Sequence, residues 1–307
     1  MRRPSLVVVL AALGALAGRA DAAVSARPSP GCSAAAIESG RRLERTIEVD
    51  GVRRTYILDV PESIHPQTPA PLLFDFHGFG HSAAGVWQVS KFRELAARDG
   101  FITIYPDGLP VHLLGRDGPG WEIFTTDNNR DLAFTKQLLD ALERAYCIDE
   151  TRVFATGFSN GAFFSNILGC TMSDRFAAVA PVSGGRLTLP CAPPRGVPVL
   201  IHHGRNDPIV DVQQARQERD AWVQADHCTT QSTDACERHR DCRDAVEVDY
   251  CEDDGVHRWP EPATERIWKF FRMHPMQANW TALTPTLSQR AREKKGSDDV
   301  RSDHPRR

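Results

Sequence analysis

Two rhythms of apolar and polar positions alternate through the central part of the chain. Residues 46–49 and 54–60 are β-prone, and Asp50-Gly51 between them suits a two-residue hairpin turn. After Pro61, short apolar runs take turns with stretches whose apolar positions recur every three or four residues. The runs at residues 72–76, 101–105, 152–156, 176–181, 197–202 and 245–250 predict strands. Helical spacing covers residues 86–98, 132–146, 162–168, 213–224 and 264–271. Leu132, Leu138, Leu139 and Leu142 form the apolar stripe of the second helix, and Gly100 stops the first. Pro106-Asp107-Gly108 ends a strand and opens a loop rich in Gly and Asn that carries Trp121. Strand–helix alternation of this kind implies a parallel sheet covered on both faces. The expected architecture is therefore α/β, with about eight mostly parallel strands: one antiparallel pair and about six more. No internal repeat is evident.

The ends follow other rules. Residues 1–22 read as a signal peptide, with Arg2 and Arg3 before a nearly wholly apolar run over 6–17. Ala20-Asp21-Ala22 supplies the small residues that signal peptidase requires. The run is shorter than the roughly 20 residues that span a bilayer, so a retained anchor is the weaker reading. No later segment is long and apolar enough to span. The expectation is a secreted protein, extracellular or periplasmic, with no membrane association after cleavage. Residues 23–45 form an N-terminal extension, 46–274 the catalytic domain, and 275–307 a tail. Periodicity stops near Pro275 and residues 290–307 are nearly all polar, which predicts disorder.

Composition narrows the partners. With 41% hydrophobic and 25% charged residues the chain can bury a core, unlike a disordered sequence. Net charge is -3 and the cations are scattered, which argues against nucleic acid as a partner. Oligomeric state cannot be read from the sequence. Eight cysteines, an even number in an exported chain, point to disulfides; about 105 pairings are possible. Cys228, Cys236, Cys242 and Cys251 are crowded together and are expected to pair with each other. The chain lacks any C-x-x-C pair, so a zinc site is disfavoured and no metal ligand is assigned.

The strongest chemical signal is Gly157-Phe158-Ser159-Asn160-Gly161, a G-x-S-x-G between a predicted strand and a predicted helix. A nucleophile there sits on a strained turn, and the flanking residues must be tiny for strand and helix to approach. The serine projects at a helix N-terminus, where the Asn160 amide can donate to a developing oxyanion. The competing reading is a turn serine between two glycines.

Acid and base are expected downstream, in that order. Asp207 follows the strand at 197–202, and His257 follows the strand at 245–250. Both fall on loops at the carboxyl ends of strands, where α/β sheets place functional groups. Asp211 is the rival acid. His203 precedes the acid and reads as structural. The second oxyanion donor is expected from His77-Gly78-Phe79-Gly80, directly after the strand at 72–76, with the Phe79 amide as the donor. Trp87, Trp121, Phe124 and Trp259 could line an aromatic acyl pocket, although packing is the usual use of such residues.

Taken together, these segments resemble a secreted esterase family. It joins feruloyl esterases, acetylxylan esterases and polyhydroxybutyrate-depolymerase-like proteins. The carriers are residues 73–82 (LFDFHGFGHS), 146–161 (YCIDETRVFATGFSNG), 175–184 (RFAAVAPVSG), 203–210 (HGRNDPIV) and 255–260 (GVHRWP). The resemblance implies the α/β-hydrolase fold, ester hydrolysis without a cofactor, and export. It puts the nucleophile on Ser159, the acid on Asp207 and the base on His257. One departure is visible: relatives usually carry a glycine run before the histidine, where this chain has Asp254-Gly255-Val256.

The resulting expectation is a serine esterase acting on feruloyl or acetyl esters of plant polysaccharide, or on polyhydroxyalkanoate-type polyester. Its partner would be an ester substrate that can be polymeric. A serine peptidase on the same fold and a catalytically silent binding protein are the alternatives. An ester-versus-amide rate comparison separates the first two, and fluorophosphonate labelling separates both from the third.

Overall fold

The computed structural model describes residues 24–277. Its centre is a ten-stranded sheet in the order β1-β2-β4-β3-β7-β8-β9-β12-β11-β10. The six parallel strands are β4 (Ile102–Pro106), β3 (Ala70–Phe76), β7 (Ile148–Phe158), β8 (Ala178–Val182), β9 (Val199–Gly204) and β12 (Val248–Asp253). Antiparallel strands flank them: β1 (Gly40–Val49) and β2 (Val52–Val60) on one side, β11 (Glu237–Arg240) and β10 (Thr230–Thr233) on the other. The sheet is thus larger than the eight strands expected. It keeps the expected mostly parallel character.

Strand β3 shows why the apolar runs form buried strands. Every residue of Ala70–Phe76 is buried, and alternate side chains serve opposite faces. Leu72, Phe74 and Phe76 join the core beneath α3 (Arg130–Ala145), α4 (Asn160–Thr171) and α5 (Val212–Ala225). Leu73 joins the other core, beneath α2 (Phe92–Asp99) and α6 (Ala263–Met273). Helices therefore cover both faces, as the alternation implied.

Several boundaries differ from the sequence expectation. The helix expected over 86–98 is two helices, α1 (Ala83–Val89) and α2. The chain breaks between them at Ser90 and at Lys91, which sits at φ 58°. The loop expected after Gly108 contains a hairpin, β5 (Leu109–Leu113) and β6 (Arg116–Gly120), whose tip is Leu114-Gly115, both at positive φ. Strand β1 starts at Gly40, so part of the segment assigned to an extension belongs to the sheet. Earlier still, Pro28 bridges to Asp149 and Ser29 Oγ donates to the Tyr146 carbonyl at 2.8 Å. At the other end Met276 is buried, and its N–H bonds the Thr151 carbonyl at 2.8 Å. The expected signal peptide and nearly all of the expected tail lie outside the described residues.

All eight cysteines are paired, as Cys32–Cys147, Cys170–Cys191, Cys228–Cys242 and Cys236–Cys251. The last four do pair among themselves. Four disulfides fit an oxidising, extracellular environment. Among the described residues no helix is long and apolar enough to cross a membrane.

The site is placed by topology. From β3 the chain goes to β4 on one side, then returns to β7 on the other. Crevices at the carboxyl ends of strands open at such a switch point. The segment after β3, with His77–Gly80, and the segment after β7, with Ser159, are neighbours there.

Candidate active site

Strand β7 runs directly into α4 through Ser159, which has φ 54° and ψ -118°. Such a backbone is costly for a residue with a side chain and persists only where neighbours hold it. They do. A Cβ on Gly157 would lie 2.4 Å from the Gly161 carbonyl oxygen, and one on Gly161 would lie 2.1 Å from that of Phe76. Both glycines are required by contact with backbone, so the sharp turn is built into the packing.

The rim beyond the strands is closed by backbone hydrogen bonds. Ser159 N–H donates to Val182, Ser183 to His202, Arg205 to Asp253 and Asn206 to Gly255, at 2.7–3.0 Å. This ladder draws the ends of β7, β8, β9 and β12 together. Gly204 and Gly255 permit it, since a Cβ on Gly204 would stand 2.5 Å from the Gly255 oxygen. Loops distant in sequence thereby share one edge.

Asp207 and His257 meet on this edge. Asp207 Oδ2 lies 2.6 Å from His257 Nδ1, and Asp207 Oδ1 accepts from the amides of Ile209 (2.8 Å) and Val210 (2.9 Å). The carboxyl side chain is wholly buried, while His257 is half-buried. A carboxylate fixed by two amides can point one lone pair at the imidazole, which sets the proton on Nδ1 and leaves Nε2 free. No hydrogen bond joins the Ser159 hydroxyl to His257 among the described residues; the imidazole packs against the adjacent Phe158 ring, centroids 4.8 Å apart. The Asp207–His257 pair is assembled, and Ser159 is the next residue along the chain from the Phe158 that packs on it.

His203 is buried, with Nε2 2.9 Å from the Val210 carbonyl and 3.5 Å from Asp207 Oδ2. Burial lowers its pKa, so it is neutral and serves the acid loop as a structural group. The rival acid Asp211 caps α5 through the Gln213 amide at 2.8 Å.

The two expected oxyanion donors also share this edge. The N–H groups of Phe79 and Asn160 have no acceptor among the described residues. His77 holds the Phe79 loop in place. Gly108 N–H donates to His77 Nε2 at 2.9 Å, so the ring proton is on Nδ1, 2.7 Å from the Gly78 carbonyl it donates to. Burial lowers the His77 pKa and keeps this tautomer neutral. The Asn160 carboxamide is buried and engages both backbone groups of Trp121, accepting at 2.7 Å and donating at 3.1 Å. The sequence identified His77 only as part of a motif and missed these roles. The closely spaced Gly118 and Gly120 were the available signal.

Of the four candidate pocket aromatics, Trp87 and Trp259 are committed elsewhere, while Trp121 and Phe124 line one recess. Trp121 is buried and donates to the His77 carbonyl at 2.8 Å. Trp259 packs on Phe92 and donates to Thr264, and Trp87 donates to Asp59. Phe124 is exposed. It lines a recess of about 340 Å³ with Val111, Leu113, Ile123 and Asn160. Neither this recess nor two larger ones, of about 630 and 1070 Å³, is lined by Ser159, Asp207 or His257; Asn160, which lines the first, is the residue next to Ser159.

Comparison with known proteins agrees with this frame. The profile of the phospholipase/carboxylesterase family matches residues 59–248. Feruloyl esterase D of Neurospora crassa is 28% identical over 235 residues, covering 73% of this chain and 74% of that protein. Feruloyl esterase B of Piromyces equi is 29% identical over 229 residues; the match covers 64% of this chain but 41% of that longer protein. The acetyl xylan esterase from Aspergillus awamori shares the fold at TM-score 0.59 and 15% identity, over 75% of this chain and 99% of that one. The chain belongs to the phospholipase/carboxylesterase family, a carboxylic ester hydrolase with the α/β-hydrolase fold.

Proposed function

We propose that the protein is an exported serine esterase with Ser159 as nucleophile, His257 as general base and Asp207 as the acid that orients it. The observation that carries this reading is the 2.6 Å contact between His257 and an Asp207 carboxylate pinned by two amides, on the edge that also bears the strained serine. His257 Nε2 takes the Ser159 proton as Oγ attacks the ester carbonyl. The serine–imidazole hydrogen bond forms when the Ser159 side chain turns toward His257 with substrate bound, a common change from the empty enzyme. Asp207 fixes the tautomer and stabilises the imidazolium without taking the proton itself. The carbonyl oxygen, now negative, accepts from the Phe79 and Asn160 amides, which have no other acceptor among the described residues. His257 returns its proton to the leaving alcohol, and water then cleaves the acyl-enzyme by the same route.

The substrate class follows from the relatives named feruloyl and acetyl xylan esterases: feruloyl or acetyl esters of plant polysaccharide. Polyhydroxyalkanoate-type polyester is the second class carried over from the sequence. The half-buried serine lies on an open rim, which admits an ester carried on a polymer. The recess beside Asn160 is large enough for a phenolic acyl group and has Phe124 at its edge. Purified Ser159→Ala protein should lose essentially all hydrolysis of methyl ferulate and p-nitrophenyl acetate. Turnover at the wild-type rate would refute the assignment.

A further inference from the structure

Residues 118–122 touch both sides of the proposed oxyanion site. The Pro119 carbonyl accepts from Gly80 N–H at 2.8 Å, one residue beyond Phe79. Two residues later, Trp121 pairs its N–H and C=O with the Asn160 carboxamide, and its indole N–H donates to the His77 carbonyl at 2.8 Å. The segment itself is anchored. Glu122 N–H donates to Asp131 Oδ2 at 2.9 Å, and Asp131 Oδ1 is held by the buried Arg54 at 2.7 Å. Glycines make the fit possible. A Cβ on Gly120 would approach Asn160 Oδ1 to 2.8 Å and the Phe79 ring to 3.3 Å, and one on Gly118 would approach that ring to 3.1 Å.

We propose that the end of β6 is a brace for the oxyanion site, with the Asn160 carboxamide and the Trp121 indole N–H as positioning groups. They hold the amides of Phe79 and Asn160 at a fixed separation. This rests on the reading of those amides as donors to the Ser159 adduct. It goes beyond that reading by assigning a positioning role to side chains outside the triad.

The physical argument concerns where catalysis gains. Amides that follow the substrate carbonyl wherever it lies would stabilise ground state and transition state alike, and would leave kcat unchanged. Amides fixed at the position the oxyanion will occupy favour the transition state and need no reorganisation during reaction. Here the two donors come from segments about 80 residues apart, joined to each other through one strand end. Loosening that strand end should therefore act on kcat and spare KM.

The test uses the whole purified chain with p-nitrophenyl acetate. Trp121→Phe keeps the buried ring and deletes the N–H; Asn160→Ala keeps the backbone donor and deletes only the carboxamide. Expected losses in kcat are about 10-fold for Trp121→Phe and roughly 10- to 100-fold for Asn160→Ala, with KM within about 3-fold of wild type. Affinity for a phenylboronic acid, whose serine adduct is tetrahedral, should fall by the same factor as kcat. Melting curves confirm that each variant is folded, and Trp121→Phe carries the test should Asn160→Ala not fold. A folded variant with lowered Tm but wild-type kcat would show these groups to be merely structural and would overturn the brace. So would a loss of kcat with boronate affinity unchanged. Should Ser159→Ala remain active, the parent reading fails instead; an inactive Ser159→Ala beside wild-type braces removes this inference alone.

Discussion

The carboxyl rim of the sheet and the opposite end are held by different chemistry. At the rim, Ser159, Asp207, His257 and the His77–Gly80 segment are fixed by hydrogen bonds of 2.6–3.1 Å and by glycines in contact with backbone. At the amino end three disulfides add covalent links to the hydrogen bonds, while the fourth joins Cys236 to Cys251 within β12. Cys147 precedes β7, Cys170 lies at the end of α4 and Cys228 follows α5, each in a disulfide. On the proposed mechanism the difference is functional. Proton transfer needs side chains that shift by fractions of an ångström as charge develops, which hydrogen bonds permit. A disulfide acts chiefly on the unfolded chain, so it can sit far from the chemistry and still protect it.

That division can be broken first at the rim. Asp207→Asn keeps the shape and one oxygen for the Ile209 and Val210 amides. It presents the imidazole with an uncharged partner and the wrong tautomer. The expected loss in kcat is about 10⁴-fold, with Tm little changed. Steady-state kinetics with melting on the same sample decide it. A Tm that collapses while residual kcat stays high would mean that Asp207 is a fold residue and the rim is not specialised.

The complementary break is at the other end. Replacing Cys32 and Cys147 together by alanine opens a link between residues 115 apart and should cost about 4–5 kcal/mol. The Cys228–Cys242 link spans 14 residues and its removal should cost about 3 kcal/mol. Urea unfolding reads both. Activity at 25 °C should stay at the wild-type level in each folded variant. A kcat that falls with the loss of either disulfide would tie the two ends together and end the comparison.

The same contrast explains what could be read from the residues. Strands such as β3 and β8 are buried throughout, so their apolar runs announce them. The proposed acid and base positions follow from chain order once a serine elbow is recognised. The hairpin β5–β6 was hidden because Arg116–Gly120 reads RDGPG, with no alternation and two glycines selected for contact rather than for strand propensity. Strand β10, Thr230–Thr233, is exposed at every residue and leaves no apolar signal. The break between α1 and α2 is also silent, since neither Ser90 nor Lys91 is a helix breaker by type. Least legible of all was the pairing of Asn160 with Trp121. Its partners lie 39 residues apart, and each has an adequate local explanation without the other.

Between the two ends, halfway along α4 and α5, Glu218 offers the smallest and most discriminating test. It is 2% exposed; Oε1 accepts from Asn166 Nδ2 at 2.5 Å, and Oε2 has no partner among the described residues. Burial pushes its carboxyl up to about 8 from an ordinary 4.5. Below pH 4.5 folded and unfolded chains both carry the proton and the group does not oppose folding. As pH rises toward 8 the unfolded chain ionises while the folded one does not, so this stability is progressively lost. Glu218→Gln keeps the acceptor for Asn166 and removes the titration. The variant should match wild type near pH 4.5 and exceed it by roughly 1–3 kcal/mol at pH 8. The buried Asp75 and Asp226, raised to about 8 and about 6, remain in both proteins and cancel in the difference. Denaturation curves for the pair that fall in parallel from pH 4.5 to 8 would show that Glu218 is ionised in the fold. The helix pair linking the rim to the stapled end would then be held by a buried charge rather than by a neutral hydrogen bond.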